Sequence, residues 1–196
     1  MNWKQWKLKD LVYALIVPLI VVLLIVGISQ LRSIIGYTSE SFGIVIGLTM
    51  EILELTIIVA IPLMLGLVWN QWAGGASGFI MGTFYAIYWS NAYNGMQGAG
   101  TVLMSYILGA MLIGYIAGAL NKRSEDFKTL LLSGIIATTV GAIVMFGIFQ
   151  LSTANVVTGI DGFLLTVLPR TATGAIIAVL AKVFHWYGMG TNKKII

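Results

Sequence analysis

Polar and charged positions in this chain gather into short breaks, and between them run apolar stretches of about 20 residues or more, the length an α-helix needs to cross a bilayer. The stretches cover Leu11 to Leu31, Phe42 to Trp69, Trp72 to Tyr93, Gly100 to Leu120, Thr129 to Ser152 and Asp161 to Phe184. This pattern predicts an all-α integral membrane protein, a compact bundle of about six transmembrane helices, because a spanning helix satisfies its own backbone polar groups. The second run is longer than one span requires, so it is expected to tilt, or to bend near Pro62 and finish in the interface. The opening MNWKQWKLKD, with Trp3 and Trp6 beside Lys4 and Lys7, reads as an interfacial segment over residues 1–10. A signal peptide is the alternative for a basic start before an apolar run. Leu11 to Leu31 is long enough to span, and no A-x-A-like cleavage site closes it, so it is read as the first transmembrane helix. The organisation predicted is one transmembrane domain over residues 11–184, followed by a cytoplasmic tail over residues 185–196.

Composition sharpens this picture. Of 196 residues, 59% are hydrophobic and 9% charged, and the mean hydropathy of +0.96 exceeds what a soluble domain carries. Once the spans are subtracted, only loops and tails remain, too little for a nucleotide-binding or catalytic domain. Any energy source must come from a gradient or a partner. The chain has no cysteine, which excludes thiolate catalysis, iron–sulfur ligation and disulfides. The net charge of +4 does not point to nucleic acid, because the lysines lie outside the apolar runs. They follow the positive-inside rule instead. With a cytoplasmic N-terminus, that side holds Lys4, Lys7, Lys9, Lys122, Arg123, Lys128, Lys182, Lys193 and Lys194, whereas the opposite side holds only Arg32. Both termini are therefore assigned to the cytoplasm.

Small residues recur at four-residue spacing: Gly74, Gly78 and Gly82 in the third span, Ala110, Gly114 and Gly118 in the fourth, Gly174 and Ala178 in the sixth. Such stripes permit close backbone approach, either within the bundle or against another membrane subunit. The glycines at Gly98 to Gly100 have no preceding strand and no following Lys-Ser/Thr, so they form no phosphate loop. Pro18, Pro62 and Pro169 all fall in apolar runs and mark expected bends.

Charges within spans are functional hypotheses by default, since each costs about 2.5–3.5 kcal/mol on insertion scales. Glu51, Glu54 and Arg170 are the cases here. Counted from the external ends of their runs, they lie at depths of roughly 13, 18 and 13 Å. An ion pair between the second and sixth helices is thus geometrically possible. Three readings stay open: a structural salt bridge, a polar pocket open to the outside, and proton or cation coupling through the glutamates. A second constellation sits at the third external loop, where YAIYWSNAYNGMQG supplies Tyr85, Tyr88, Trp89, Asn91, Tyr93, Asn94 and Gln97, with Gln150, Asn155 and Asp161 flanking the fifth. These side chains serve either as an interfacial aromatic belt or as the ring faces and amides of a small-molecule pocket. The single histidine, His185, sits at the cytoplasmic end of the last helix, which removes bis-histidine haem and histidine-rich metal sites. No H-E-x-x-H or G-x-S-x-G motif is present, so an enzyme is not expected, and no cofactor or metal is implied.

Three passages, IPLMLGLVWNQWAGGASGFIMG, YILGAMLIGYIAGAL and LPRTATGAIIAVLAKVF, give the chain a resemblance to the substrate-binding S components of energy-coupling-factor (ECF) vitamin transporters. The length, the six spans and the cytoplasmic termini agree with that family. The resemblance implies a vitamin-like ligand taken from outside, held by external loops and the outer halves of later helices, and energy supplied by a membrane coupling subunit and ATPases. It departs from the family in the first helix, where an alanine-x-x-x-alanine docking surface is replaced by Ala14 followed by Pro18. The expected substrate-binding residues are Glu51, Glu54, Trp89, Asn91, Tyr93, Asn94, Gln97 and Arg170. Two other classes remain: a structural or accessory subunit of a larger membrane complex, and a small self-contained ion or solute carrier using the intramembrane carboxylates.

Overall fold

The computed structural model describes residues 52–92, 99–151 and 159–186, and every element among them is helical. We number the helices α1 (Ile52–Val68), α2 (Gln71–Ala92), α3 (Ala99–Asn121), α4 (Phe127–Gln150) and α5 (Gly159–Trp186). The predicted first span and the start of the second lie outside the described residues. The other helix limits fall within a residue or two of the apolar runs, because the polar breaks that interrupt hydropathy also carry the caps. Among the described residues three helices are long and apolar enough to cross a membrane: α3 over Leu103–Asn121, α4 over Phe127–Gln150 and α5 over Gly159–His185. α2 has the length, at 22 residues, but glycine, serine and tyrosine dilute its apolar content. The outward faces of α4 and α5 carry Leu132, Ile136, Val140 and Ile143, and Leu164, Leu168, Ile176 and Val179, all exposed. Their spacing of three, four or eight residues gives stripes that lipid, not water, solvates without cost.

Consecutive helices pack against one another, and α1 rests on α2, α3 and α5. The core runs through Ile58, Leu63 and Leu67 of α1, Met81 of α2, Ile113 and Ala117 of α3, Leu130 and Met145 of α4, and Ala178 and Ala181 of α5. Small residues set the closest approaches. A Cβ added to Gly74 would lie 2.7 Å from the Gly66 Cα and meet the Gly114 backbone, and one added to Gly114 would meet the backbone of Gly74. Gly78 faces Ala110, and Gly82 faces Ile107, in the same way. On the other side of the bundle Gly174 packs under Thr138 and beside Gly134, while Thr139 and Thr171 hydroxyls meet at 3.0 Å. The predicted stripes are thus spent on packing between α1, α2 and α3 and between α4 and α5. None of them is left as an outer docking face.

Two turns close one end of the bundle. Asn70 caps α2, its Oδ1 accepting from the backbone N–H groups of Trp72 at 2.9 Å and Ala73 at 3.0 Å. The α3–α4 turn reverses through Lys122 and Arg123, both in the left-handed region with φ of 47° and 62°. Buried Asn121 donates from Nδ2 to the Leu67 carbonyl at 2.8 Å, and Arg123 Nε donates to the Trp69 carbonyl at 3.1 Å, so the second turn ties down the end of α1. Asp126 caps α4 by accepting from the Thr129 N–H at 3.1 Å. Lys182 of α5 reaches the Glu125 carbonyl at 2.7 Å. α5 continues to Trp186, which places His185 on the helix and buried.

Substituting Gly114 by Ala should lower stability by about 1–3 kcal/mol, because the new methyl meets backbone that cannot step aside. Gly147→Ala, where nothing lies within 4 Å of the new Cβ, should leave the melting temperature unchanged or higher. Thermal unfolding of the two variants in detergent separates these outcomes. A second expectation concerns pH. The Thr129 backbone N–H holds the Asp126 carboxyl below the usual aspartate value of 3.8. A depressed folded pKa means that the cap's contribution is complete above the ordinary aspartate range and is lost as pH falls through the lowered value. Asp126→Asn keeps an acceptor but no charge, so comparing melting temperatures of the two proteins from neutral to strongly acidic pH should show the difference shrinking at the acidic end.

Candidate functional site

The site is built on two helices whose regular hydrogen bonding is interrupted by proline. In α1, the segment Leu55–Ala60 is π-helical, and the Ile61 N–H reaches back to the Thr56 carbonyl, one residue further than in an α-helix. Pro62 follows directly. Its ring would press on the carbonyl four residues earlier, that of Ile58, in an unbroken α-helix, and the wider turn relieves this contact. The bend expected at Pro62 is therefore accommodated as a π turn upstream of it. Glu54 stands at the first edge of that turn.

In α5, the helix runs unbroken past Pro169, and side chains supplement its backbone ladder. Thr166 Oγ1 donates to the Gly162 carbonyl at 2.8 Å, and Thr173 Oγ1 donates to the Pro169 carbonyl at 2.8 Å. Arg170 Nη1 donates to the Thr166 carbonyl, one turn back, at 2.7 Å. That bond lays the guanidinium along its own helix and directs Nη2 across to α1, where it pairs with Glu54 Oε1. Tyr85 of α2 donates to the other carboxylate oxygen at 3.4 Å. Glu54 is 14 residues before the end of α1 and Tyr85 is 14 residues after the start of α2, so both sit about 21 Å from the connecting turn. The pair is thus held at one level, deep in the bundle and far from the turn end.

Burial makes this arrangement costly unless it is matched. The Arg170 and Glu54 side chains are only 9% and 16% exposed, so each charge needs the other to offset its desolvation. Glu54 is well supplied with partners. Arg170 is not fully supplied: its Nε is buried and has no hydrogen-bond partner among the described residues. Leaving a buried donor unmatched costs about 1–3 kcal/mol. An aromatic arc adjoins the carboxylate, with Tyr85 edge-on to Tyr106 at 4.8 Å and Tyr106 edge-on to Phe149 at 5.8 Å. Phe146 and Phe163 make a further edge contact at 5.4 Å between α4 and α5. A buried guanidinium with a spare N–H, a carboxylate, a phenol and ring edges form a group able to orient a small polar molecule through its acceptors.

Of the residues singled out from sequence, the structure brings Glu54 and Arg170 together. Trp89 and Asn91 lie on the last turns of α2, four and six residues beyond Tyr85, and their side chains are outside the described set. Glu51, Tyr93, Asn94 and Gln97 lie outside the described residues altogether. Tyr106, Phe149 and Thr166 were not singled out. The first two are ordinary aromatics within apolar runs, and nothing in their spacing marks them. Thr166 carries a signal that could have been read, since it precedes Arg170 by four residues and so shares its helix face. Comparison of the chain with protein-family models, with curated proteins and with solved structures finds no match in any of the three.

Neutralising one member of the pair should destabilise the fold strongly. Arg170→Gln strands a buried carboxylate and Glu54→Gln a buried guanidinium, each with a loss of about 3–5 kcal/mol. The double Gln variant should recover most of that loss. A double-mutant cycle from denaturant unfolding in detergent measures the coupling, and simple additivity of the two losses would show that the side chains act independently.

Proposed function

We propose that this chain is the membrane-embedded, small-molecule-binding subunit of a transporter: a six-span bundle in the cell membrane with both termini cytoplasmic, energised by a coupling subunit and ATPases. The observation that carries the reading is the buried Nε of Arg170, which has no hydrogen-bond partner among the described residues although the guanidinium is ion-paired. A pin made only to hold helices together has no need of a spare donor, whereas a binding site does. A ligand carbonyl, carboxylate or ring nitrogen placed there would satisfy the donor and lie against Tyr85 and its aromatic neighbours. In the proposed orientation the site opens toward the outside, the side on which α2 ends beyond Trp89 and Asn91. A vitamin-like molecule with acceptors and a flat ring matches this lining.

The alternatives fit less well. An accessory subunit would dock through its small-residue stripes, and those are buried within the bundle. A cation carrier would keep its carboxylates available, and Glu54 is already neutralised by Arg170.

Native mass spectrometry of the full chain, gently solubilised from its membrane, tests the proposal. The wild-type protein should retain a small organic molecule, and Arg170→Gln should weaken that retention at least about tenfold, the worth of a hydrogen bond to a charged group. A folded wild type that carries no such molecule, or a variant that holds it equally well, would sink the idea.

A further inference from the structure

The opposite end of the bundle holds a second polar feature that the site at Arg170 does not use. Where the α1–α2 and α3–α4 turns meet, an open groove of about 300 Å³ is lined by Asn70, Gln71, Trp72, Gly118, Lys122 and Arg123. Gly118 lets the end of α3 approach the start of α2 there, since any Cβ would meet the backbone of Gln71. The two cations are both exposed, and both remain available. Arg123 uses only its Nε, on the Trp69 carbonyl, which fixes the guanidinium plane and leaves both terminal nitrogens without partners among the described residues. The Lys122 ammonium has no partner among them either.

Among the described residues no carboxylate lines the groove, and the reason is the polarity of the α3–α4 turn. Its first half, Lys122 and Arg123, faces the α1–α2 side. Its second half, Glu125 and Asp126, faces the α4–α5 side, where Asp126 caps α4 and the Glu125 carbonyl holds Lys182. The start of α2 is not the attraction, because Asn70 already occupies the first N–H groups. Trp72 completes the rim; it is 49% exposed and edge-on to Tyr115 at 5.6 Å, as an indole at a membrane–water boundary would be placed.

We propose that this groove binds the phosphate of an anionic phospholipid headgroup. The inference rests on α2 and α3 being membrane helices, and not on a ligand at Arg170. In that setting the first residue of α2 and the residues just past the end of α3 lie at headgroup level. Two adjacent cations with free donors face outward there, no carboxylate among the described residues lines the groove, and an aromatic ring stands where the glycerol and upper acyl chain would rest. An anionic lipid supplies the charge that the groove lacks.

The test uses the full chain in a neutral detergent, titrated with phosphatidylglycerol or phosphatidylcholine and read by native mass spectrometry. Wild type should hold one phosphatidylglycerol in preference to phosphatidylcholine. Lys122→Gln should cut that preference about 5-fold, and the pair Lys122→Gln with Arg123→Gln about 30-fold, at roughly 1 kcal/mol per cation. Lys128→Gln, outside the groove, should change nothing. The single Lys122 variant serves if loss of the Arg123–Trp69 bond perturbs folding. Equal retention of both lipids would overturn the headgroup site while leaving the membrane reading intact, and retention of neither lipid would count against both. An equal loss in Lys128→Gln would overturn it in favour of diffuse attraction. Displacement of the lipid by millimolar inorganic phosphate would overturn it in favour of a free-anion site.

Discussion

Helices immersed in lipid gain little from burying apolar side chains against one another, because the tails that they leave are equally apolar. What holds them is close contact, and here it centres on Gly66, Gly74 and Gly114, where three backbones meet without an intervening side chain. The position of α1 depends on this contact. From it follow the level at which Glu54 stands, its meeting with Tyr85 on α2 and its reach to Arg170 on α5. A bulky residue at any of the three glycines would move α1 as a unit and carry the carboxylate with it.

The two ends of the bundle are fastened differently. At the turn end, Asn121 and Arg123 donate to the Leu67 and Trp69 carbonyls that the end of α1 leaves without helical partners, and Lys182 donates to the Glu125 carbonyl in the turn before α4. Deep inside, toward the other end, the fastening among the described residues is one ion pair supported by a phenol and a threonine-bonded helix. Main-chain bonds of the first kind are local and redundant. The ion pair is neither, and the long-range attraction of two poorly solvated charges concentrates the electrostatics of α1, α2 and α5 at one point.

The helices were legible because hydropathy and helix length report the same physical requirement, and polar breaks coincide with caps such as Asn70 and Asp126. A pairing of Arg170 with a glutamate of the second run was legible as a matter of depth, although the count set Arg170 level with Glu51 and about 5 Å short of Glu54. Counting cannot say which glutamate is taken, because that depends on rotation about the α1 axis. The π turn sets that rotation, and no residue in LTIIVA announces it apart from Pro62 downstream. The role of the small-residue stripes was likewise undecided in sequence, where a face packed inside and a face offered to a partner read alike. The groove at Lys122 and Arg123 was hidden for a different reason: the positive-inside rule accounts for both cations without asking where they point.

The π turn in α1 has a consequence for how the chain can vary. Glu54 and Gly66 are 12 residues apart, and in an uninterrupted α-helix that separation sets them about 120° apart around the axis. Absorbing one residue in the wider turn brings them to within about 20°, so the packing face and the charged face of α1 fall into phase. Two registers that disagree by a third of a turn are thereby reconciled within a single helix. The segment Leu55–Ala60 behaves as an inserted residue that a deletion would remove cleanly, because 11 residues of regular α-helix return to the same phase of about 20° and leave both the glycine contacts and the direction of the carboxylate in place. The wider turn, more than the identity of any side chain in it, lets the longer chain keep the two halves of α1 working on the same side.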